Sequence, residues 1–265
     1  MNMTDPSPSL DADTRSTRKA PHPFLTDINV RKALSMAIDR PLLVEIGYGK
    51  AGDVTCDLVP APDLYAAKNT HCLKQDIAGA NALLEKAGWK KGSDGIRAKD
   101  GVKLSILYQT STNAVRQDFQ ALIKEWWQQI GVETELRNLN ASVLFGGDPG
   151  SPDTYQKFYA DVEMYANTFD GTDPQAYLSA YRCGNEPKPE SQWQGANINR
   201  YCDPAYDALL DKLSATGDLK KRGEIGIQLN NMLTKDSYTI VPLVHRGRVS
   251  AHAKSLGGVV LNTWD

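Results

Sequence analysis

Asp170 and Asp173 are the two carboxylates whose setting in this chain invites chemistry. Upstream of them, Val162, Met164 and Ala166 alternate with Asp161, Glu163 and Tyr165, the period-two pattern of a strand. Asp170-Gly171-Thr172-Asp173-Pro174 then interrupts the chain, and Pro174 suits the first position of a helix. A strand, an acidic turn and a helix would carry both carboxylates to the strand's carboxyl end, where open α/β sheets hold ligands. Two chemistries suit that placement. A carboxylate pair could serve as general acid and base on a sugar or amide. Alternatively, one carboxylate could face a ligand's ammonium group without breaking any bond. Asp173 reads as the cap of the helix beginning at Pro174, a bland role that weakens the paired-acid reading.

Gln109-Thr110-Ser111-Thr112-Asn113 falls at the junction of a strand and a long helix. Hydroxyl and amide groups there, with free backbone N–H groups, suit a carboxylate or a peptide carbonyl. Plain capping by Thr112 or Ser111 is compatible with that role. Arg116, one turn into the helix, could meet a ligand carboxylate or acids at the core edge. Tyr165, Asn167 and Phe169 alternate along the strand leading to Asp170, so one set faces the core and the other is free to line a cleft.

Other candidate motifs fail on context. Gly47-Tyr48-Gly49-Lys50-Ala51-Gly52 matches the dinucleotide pattern in letters, but a helix precedes it and an extended segment follows. Ser16-Thr17-Arg18-Lys19 lies in the N-terminal linker without companion motifs. His22, His71, His245 and His252 are scattered, so no metal site and no cofactor are expected.

The positioning elements are legible from periodicity. Asp27 caps a helix through Val30, Leu34, Ala37 and Ile38, and Pro41 opens a short second one. Asp76 to Ala87 is amphipathic and ends at Gly88. Turn signals at Ser93-Asp94-Gly95 and Lys99-Asp100-Gly101 flank a small hairpin. The strand from Lys103 to Tyr108, the helix striped by Phe119, Ile123, Trp126 and Trp127, and the strand from Val132 to Leu136 form a βαβ unit. Both tryptophans read as core. Further helices are expected after Asp203 and from Leu219 to Thr234, followed by strands at 239–244 and 247–253. The fold class is α/β, with a mixed, partly parallel sheet flanked by helices. Residues 1–23 read as a linker or hinge-derived segment with almost nothing to bury, and residues 24–265 as a single α/β ligand-binding lobe.

The 265 residues are long enough for a sizeable core, and the hydrophobic share of 41% and charged share of 23% are those of a globular protein. A net charge of −2 gives no case for nucleic acid or an anionic membrane. The start has no secretory signal pattern, which alone would indicate the cytoplasm. The cysteines point the other way. Cys56 and Cys72 bracket one irregular loop, and Cys183 and Cys202 bracket another. Close pairs without metal-ligand spacing suggest local disulfides made in an oxidising compartment, each worth about 3 kcal/mol in the chain-entropy model, though other pairings remain open. The chain is then expected to derive from a longer secreted parent.

The stretch from Asp161-Val162 to Asp170-x-x-Asp173-Pro174 resembles a signature of the dipeptide-, oligopeptide- and nickel-binding group of extracytoplasmic solute-binding proteins of ABC transporters. Val30-Arg31-Lys32-Ala33-Leu34-Ser35-Met36-Ala37-Ile38-Asp39-Arg40, Leu83-Leu84-Glu85-Lys86-Ala87-Gly88-Trp89, Ile130-Gly131-Val132-Glu133-Thr134-Glu135-Leu136 and Ile240-Val241-Pro242-Leu243 match the same group in the same order. The resemblance spans roughly residues 24 to 262. It implies one lobe of a two-lobe clamshell, because members of that group are about twice as long. It further implies capture of a short peptide or similar small solute, without catalysis, for a membrane permease. The missing N-terminal lobe of the same parent would complete the site, and the receptor would be a periplasmic or extracytoplasmic monomer. Asp170 would pair with the ligand's ammonium group, with Asn167, Phe169, Thr110, Ser111, Thr112 and Arg116 around it. The alternatives are a hydrolase using Asp170 and Asp173, or a periplasmic sensor lobe.

Overall fold

The computed structural model describes residues 1–168, 171–247 and 251–260. Each early helix begins where an aspartate can accept an orphan N–H. Asp27 accepts from Asn29 N (2.9 Å) ahead of α1, Ile28–Met36, and Asp39 from Leu42 N (3.1 Å) ahead of α2, Arg40–Gly47. The short strand β1, Gly52–Val54, leads into the first disulfide loop. Asp76 caps α3, Ile77–Lys86, through Gly79 N at 2.7 Å, and Gly88 beyond it takes a φ of +90° that closes the helix. The hairpin region is a three-stranded antiparallel sheet of β2, Lys90–Lys91, β3, Arg97–Lys99, and β4, Val102–Lys103.

The centre of the molecule is the expected βαβ unit: β5, Ser105–Ser111, then α4, Ala114–Gln129, then β6, Glu133–Leu139. After the short helix α5, Ala141–Leu144, the chain adds β7, Val162–Glu163, to the other side of β5. The resulting sheet has the order β6-β5-β7, and both pairings are parallel. Ile106 and Tyr108 of β5 pack with Phe119, Ile123, Trp126 and Trp127 of α4 in the main core, which also takes in Leu34 and Leu84. Both tryptophans are therefore core, and Trp127 Nε1 donates to Leu34 O at 3.0 Å, which satisfies its only polar atom. The opposite face of this sheet is covered by irregular chain, with Phe158, Ala160 and Ile198 packed beside Leu107.

A second core is wholly helical in its main elements. Leu178 of α6, Gln175–Ser179, meets Tyr206, Leu210 and Leu213 of α7, Pro204–Ser214, and Ile225 and Leu229 of α8, Leu219–Asn231. A π-helical turn at Met232–Asp236 extends α8, and β8, Val244–Arg246, pairs antiparallel with β1. The strand expected at 239–244 is thus confined to its last residue and two beyond it. Of the stretch expected as a strand at 247–253, residues 251–253 are irregular and 248–250 lie outside the described residues.

Cys56–Cys72 and Cys183–Cys202 are disulfide-bonded, with Cα–Cα separations of 5.7 and 4.7 Å, as the loop spacing suggested. The first 23 residues bury more than their composition promised. Asn2 Nδ2 donates to Phe158 O (2.9 Å) and Ala160 O (3.1 Å), and Ser16 Oγ donates to Phe158 O at 2.9 Å. His22 Nδ1 accepts from Leu25 N (2.9 Å) while its Nε2–H donates to Asp161 Oδ1 (2.8 Å). Apolar content missed this anchoring because it is made by short polar side chains saturating backbone carbonyls.

Candidate functional site

The carboxyl ends of β5 and β7 form one edge. Two of the residues expected to meet a ligand there, Thr110 and Ser111, are instead bound up in building it. Thr110 is fully buried, and its Oγ1 donates to Met164 O at 2.5 Å. With Met164 N donating to Gln109 O at 3.0 Å, this holds the chain beyond β7 against β5 although regular pairing stops at Glu163. Ser111 is buried too, and its Oγ accepts from Arg116 Nη1 at 2.8 Å. The helix cap is Asn113, which accepts from Arg116 N at 3.2 Å, so neither Ser111 nor Thr112 caps α4. Asn113 wins because an extended backbone (φ −65°, ψ 124°) places its short amide under the first turn. Thr112 stays exposed.

Arg116 makes no ion pair with a carboxylate among the described residues. Its guanidinium is held by Ser111, and its pKa lies below the ordinary value, first through burial, with Tyr48 working against the shift and the cation of Arg246 adding to it. A partly desolvated guanidinium can donate paired hydrogen bonds to a carboxylate. Asn167 is exposed, with its Oδ1 accepting from Thr168 N at 3.0 Å. Phe169 and Asp170 lie outside the described residues.

Asp173 is fully committed. Its Oδ1 accepts from Gln175 N (2.9 Å), and its Oδ2 from Tyr65 Oη (2.8 Å) and from Arg222 Nη2 (2.6 Å) and Nε (2.8 Å). Arg222 also donates to Gln175 Oε1 at 2.7 Å and to Thr216 O at 2.7 Å. Burial raises the Asp173 pKa, but the bonds from Gln175, Tyr65 and Arg222 outweigh it and hold this carboxyl below its ordinary value. The formal N-cap is Pro174, yet Asp173 does the capping work assigned to it. A carboxylate gripped by four donors from three segments is poorly placed to exchange protons with a substrate.

Beside Asn167 opens a cleft of about 260 Å³. Phe145, Tyr155, Tyr165 and Tyr181 supply its aromatic wall, and Ala180 and Ala196 leave room between them. Arg137, Gln109 and Glu163 stand in register across β6, β5 and β7. Gln109 accepts from Arg137 Nε at 3.0 Å and donates to Glu163 Oε1. Glu163 Oε2 is buried without a hydrogen-bond partner. Burial pushes the Glu163 carboxyl up to about 8, against the bond from Gln109 and the charges of Arg200, the N-terminal amine and Arg137. Tyr155 and Tyr165 are in turn raised, first by burial and then by this carboxyl. The ladder and the cleft walls from Phe145, Tyr155 and Tyr181 went unread in the sequence. Alternation marks a face of one strand, but register across three strands and loop placement are tertiary facts.

This carboxyl has a measurable consequence. Between its ordinary 4.5 and about 8, the folded chain keeps a proton that the unfolded chain has lost. Its contribution to stability is therefore full below 4.5 and is lost as pH rises towards about 8, at up to about 1.4 kcal/mol per unit. Glu163→Gln is expected to flatten that fall, so the variant gains on the parent as pH rises. Urea unfolding across this window checks it; parallel stability curves for the two proteins would refute the assignment.

Comparisons with known proteins bear on the whole chain. Residues 1–188 match the family model of bacterial extracellular solute-binding proteins, family 5. The chain is 24% identical over 242 residues to a dipeptide-binding protein of Pseudomonas aeruginosa, covering 89% of this chain but 41% of that protein. It is 27% identical to the periplasmic murein peptide-binding protein of Escherichia coli, covering 78% of this chain and 34% of that one. Among solved structures, an oligopeptide-binding protein from Thermus thermophilus complexed with a pentapeptide superposes with a TM-score of 0.71 at 23% identity, over 84% of this chain and 38% of that one. NikZ from Campylobacter jejuni in complex with Ni(L-His) gives 0.72 at 24% identity, over 85% of this chain and 43% of that one. The chain thus spans about two fifths of the length of the relatives it matches.

Proposed function

The chain belongs to family 5 of the bacterial extracellular solute-binding proteins, and from that premise we propose that it is one lobe of a receptor that captures short peptides for an ABC importer. The observation that carries this reading is the extent of the match to the P. aeruginosa dipeptide-binding protein, which takes in nearly the whole of this chain and under half of that receptor. Ligand then lies between this lobe and an N-terminal lobe of the same parent, enclosed as small-molecule sites generally are. Asp170, which follows β7 in the sequence, holds the ligand's ammonium end. Arg116, oriented by Ser111, faces its carboxylate end, while Asn167, Phe169 and Thr112 border it. Thr110 and Ser111 serve from below by fixing the edge. The loaded receptor delivers the solute to a membrane permease as a monomer, outside the cytoplasm, and no cofactor is needed for capture.

The competing hydrolase reading needs two available carboxylates, and the grip of Tyr65 and Arg222 on Asp173 argues against it. The test is mass spectrometry of what the two-lobe parent releases on denaturation after incubation with a mixture of short peptides. Intact peptide, stoichiometric with protein and unchanged in mass, is the expected result. Cleaved peptide accumulating beyond stoichiometry would make the protein an enzyme and overturn the proposal.

A further inference from the structure

The cleft beside Asn167 is too small for a whole ligand. Its volume of about 260 Å³ lies below the roughly 300–1,000 Å³ of sites that enclose complete small molecules. It suits a single side chain. Its walls are specific in kind: Phe145 and Tyr155 meet edge-to-face at 5.7 Å, and Tyr155 and Tyr165 at 5.8 Å. A ring added to such a set can adopt the same edge-to-face geometry, which strengthens aromatic contact beyond the area it buries. Ala166, Asn167, Ala180, Ala196 and the buried Ile198 add to the lining, which holds no charged side chain among the described residues.

We infer that this cleft is a subsite for a neutral aromatic side chain of the captured solute, so that the receptor favours peptides carrying such a residue. The inference rests on the reading of this lobe as a solute receptor. Three features converge on it. The cleft is lined by Tyr165, Ala166 and Asn167, the residues that follow β7 in the chain. Its size selects one side chain. Its described lining is aromatic and apolar apart from the neutral amide of Asn167, so it offers no counter-charge to a cationic side chain. Burying a lysine-like ammonium there would cost its hydration without an ionised partner.

The test uses this chain with isolated side-chain probes, indole as the neutral aromatic and butylammonium as the cation, followed by protein-observed NMR at pH 7. Indole is expected to shift the Tyr165 and Ala180 signals saturably, with affinity in the millimolar range, while butylammonium leaves them unmoved. Tyr165→Ala removes one wall and is expected to weaken indole by about tenfold. Ala196→Leu fills the cleft from an exposed position, so it should abolish the shifts with the fold intact. Indole shifts that survive Ala196→Leu, absence of saturable shifts, or tighter binding of butylammonium would each overturn the subsite. Failure of the receptor reading would appear differently, as peptide cleavage by the two-lobe parent with indole binding unaffected.

Discussion

Replacing Asp170 by asparagine in the two-lobe receptor is expected to weaken peptide binding by about ten- to more than a hundredfold, or roughly 1.5–3 kcal/mol. The substitution keeps shape and removes charge, so it isolates the charge-assisted part of the proposed contact with the ligand's ammonium group. That part is large because an enclosed ligand leaves little water to screen it. The surroundings allow a clean reading. Three residues on, Asp173 is fixed by Tyr65, Arg222 and Gln175, which ties down the start of α6 whatever stands at position 170. Gly171 takes a φ of +80°, a conformation open to glycine and strained for other residues, so the turn is set by its own backbone. Stability without ligand is therefore expected to change little. Calorimetry on parent and variant with the same peptide checks both halves; equal affinities would dismiss Asp170 as the anchor.

The sequence was most readable where local physics decides. Asp27, Asp76 and Asp203 announce helices because capping is a contact with the next two or three residues. The βαβ centre followed from the alternation of β5 and the wide apolar stripe of α4, and the two disulfides from the closeness of their cysteines. The edge of the site was legible in place but not in detail. Thr110 and Ser111 were correctly located at a strand end, yet residue type alone does not tell whether a hydroxyl points to a ligand or to its own chain. Thr110 goes to Met164 O, a partner 54 residues away that fixes the strand edge. The clamp of Tyr65 and Arg222 on Asp173 joins segments 108 and 49 residues apart, and no periodicity links them. The same holds for Phe145, Tyr155 and Tyr181, which become one wall only when loops and a helix end converge.

A single lobe is expected to bind its peptide at least a thousandfold more weakly than the complete receptor. The chain has what it needs to fold: a continuous core from β5, α4, α1 and α3, a second core from α6 to α8, and two disulfides. What one lobe of the proposed receptor would lack is enclosure. Sites that bind small ligands tightly bury most of the ligand's surface, whereas one lobe leaves a whole side of it in water. On that open side, contacts with Asp170 and Arg116 compete with solvent at high dielectric, where the same charge pair loses most of its strength. Affinity should then fall to the millimolar range, about −4 kcal/mol.

Titration of this 265-residue chain with the peptide released from the two-lobe parent, run beside the parent itself, tests the half-receptor account most directly. The account expects a folded, monomeric chain that binds in the millimolar range while the parent binds at least a thousandfold more tightly. Submicromolar binding by the chain alone would contradict it, because the site would then be complete within one lobe.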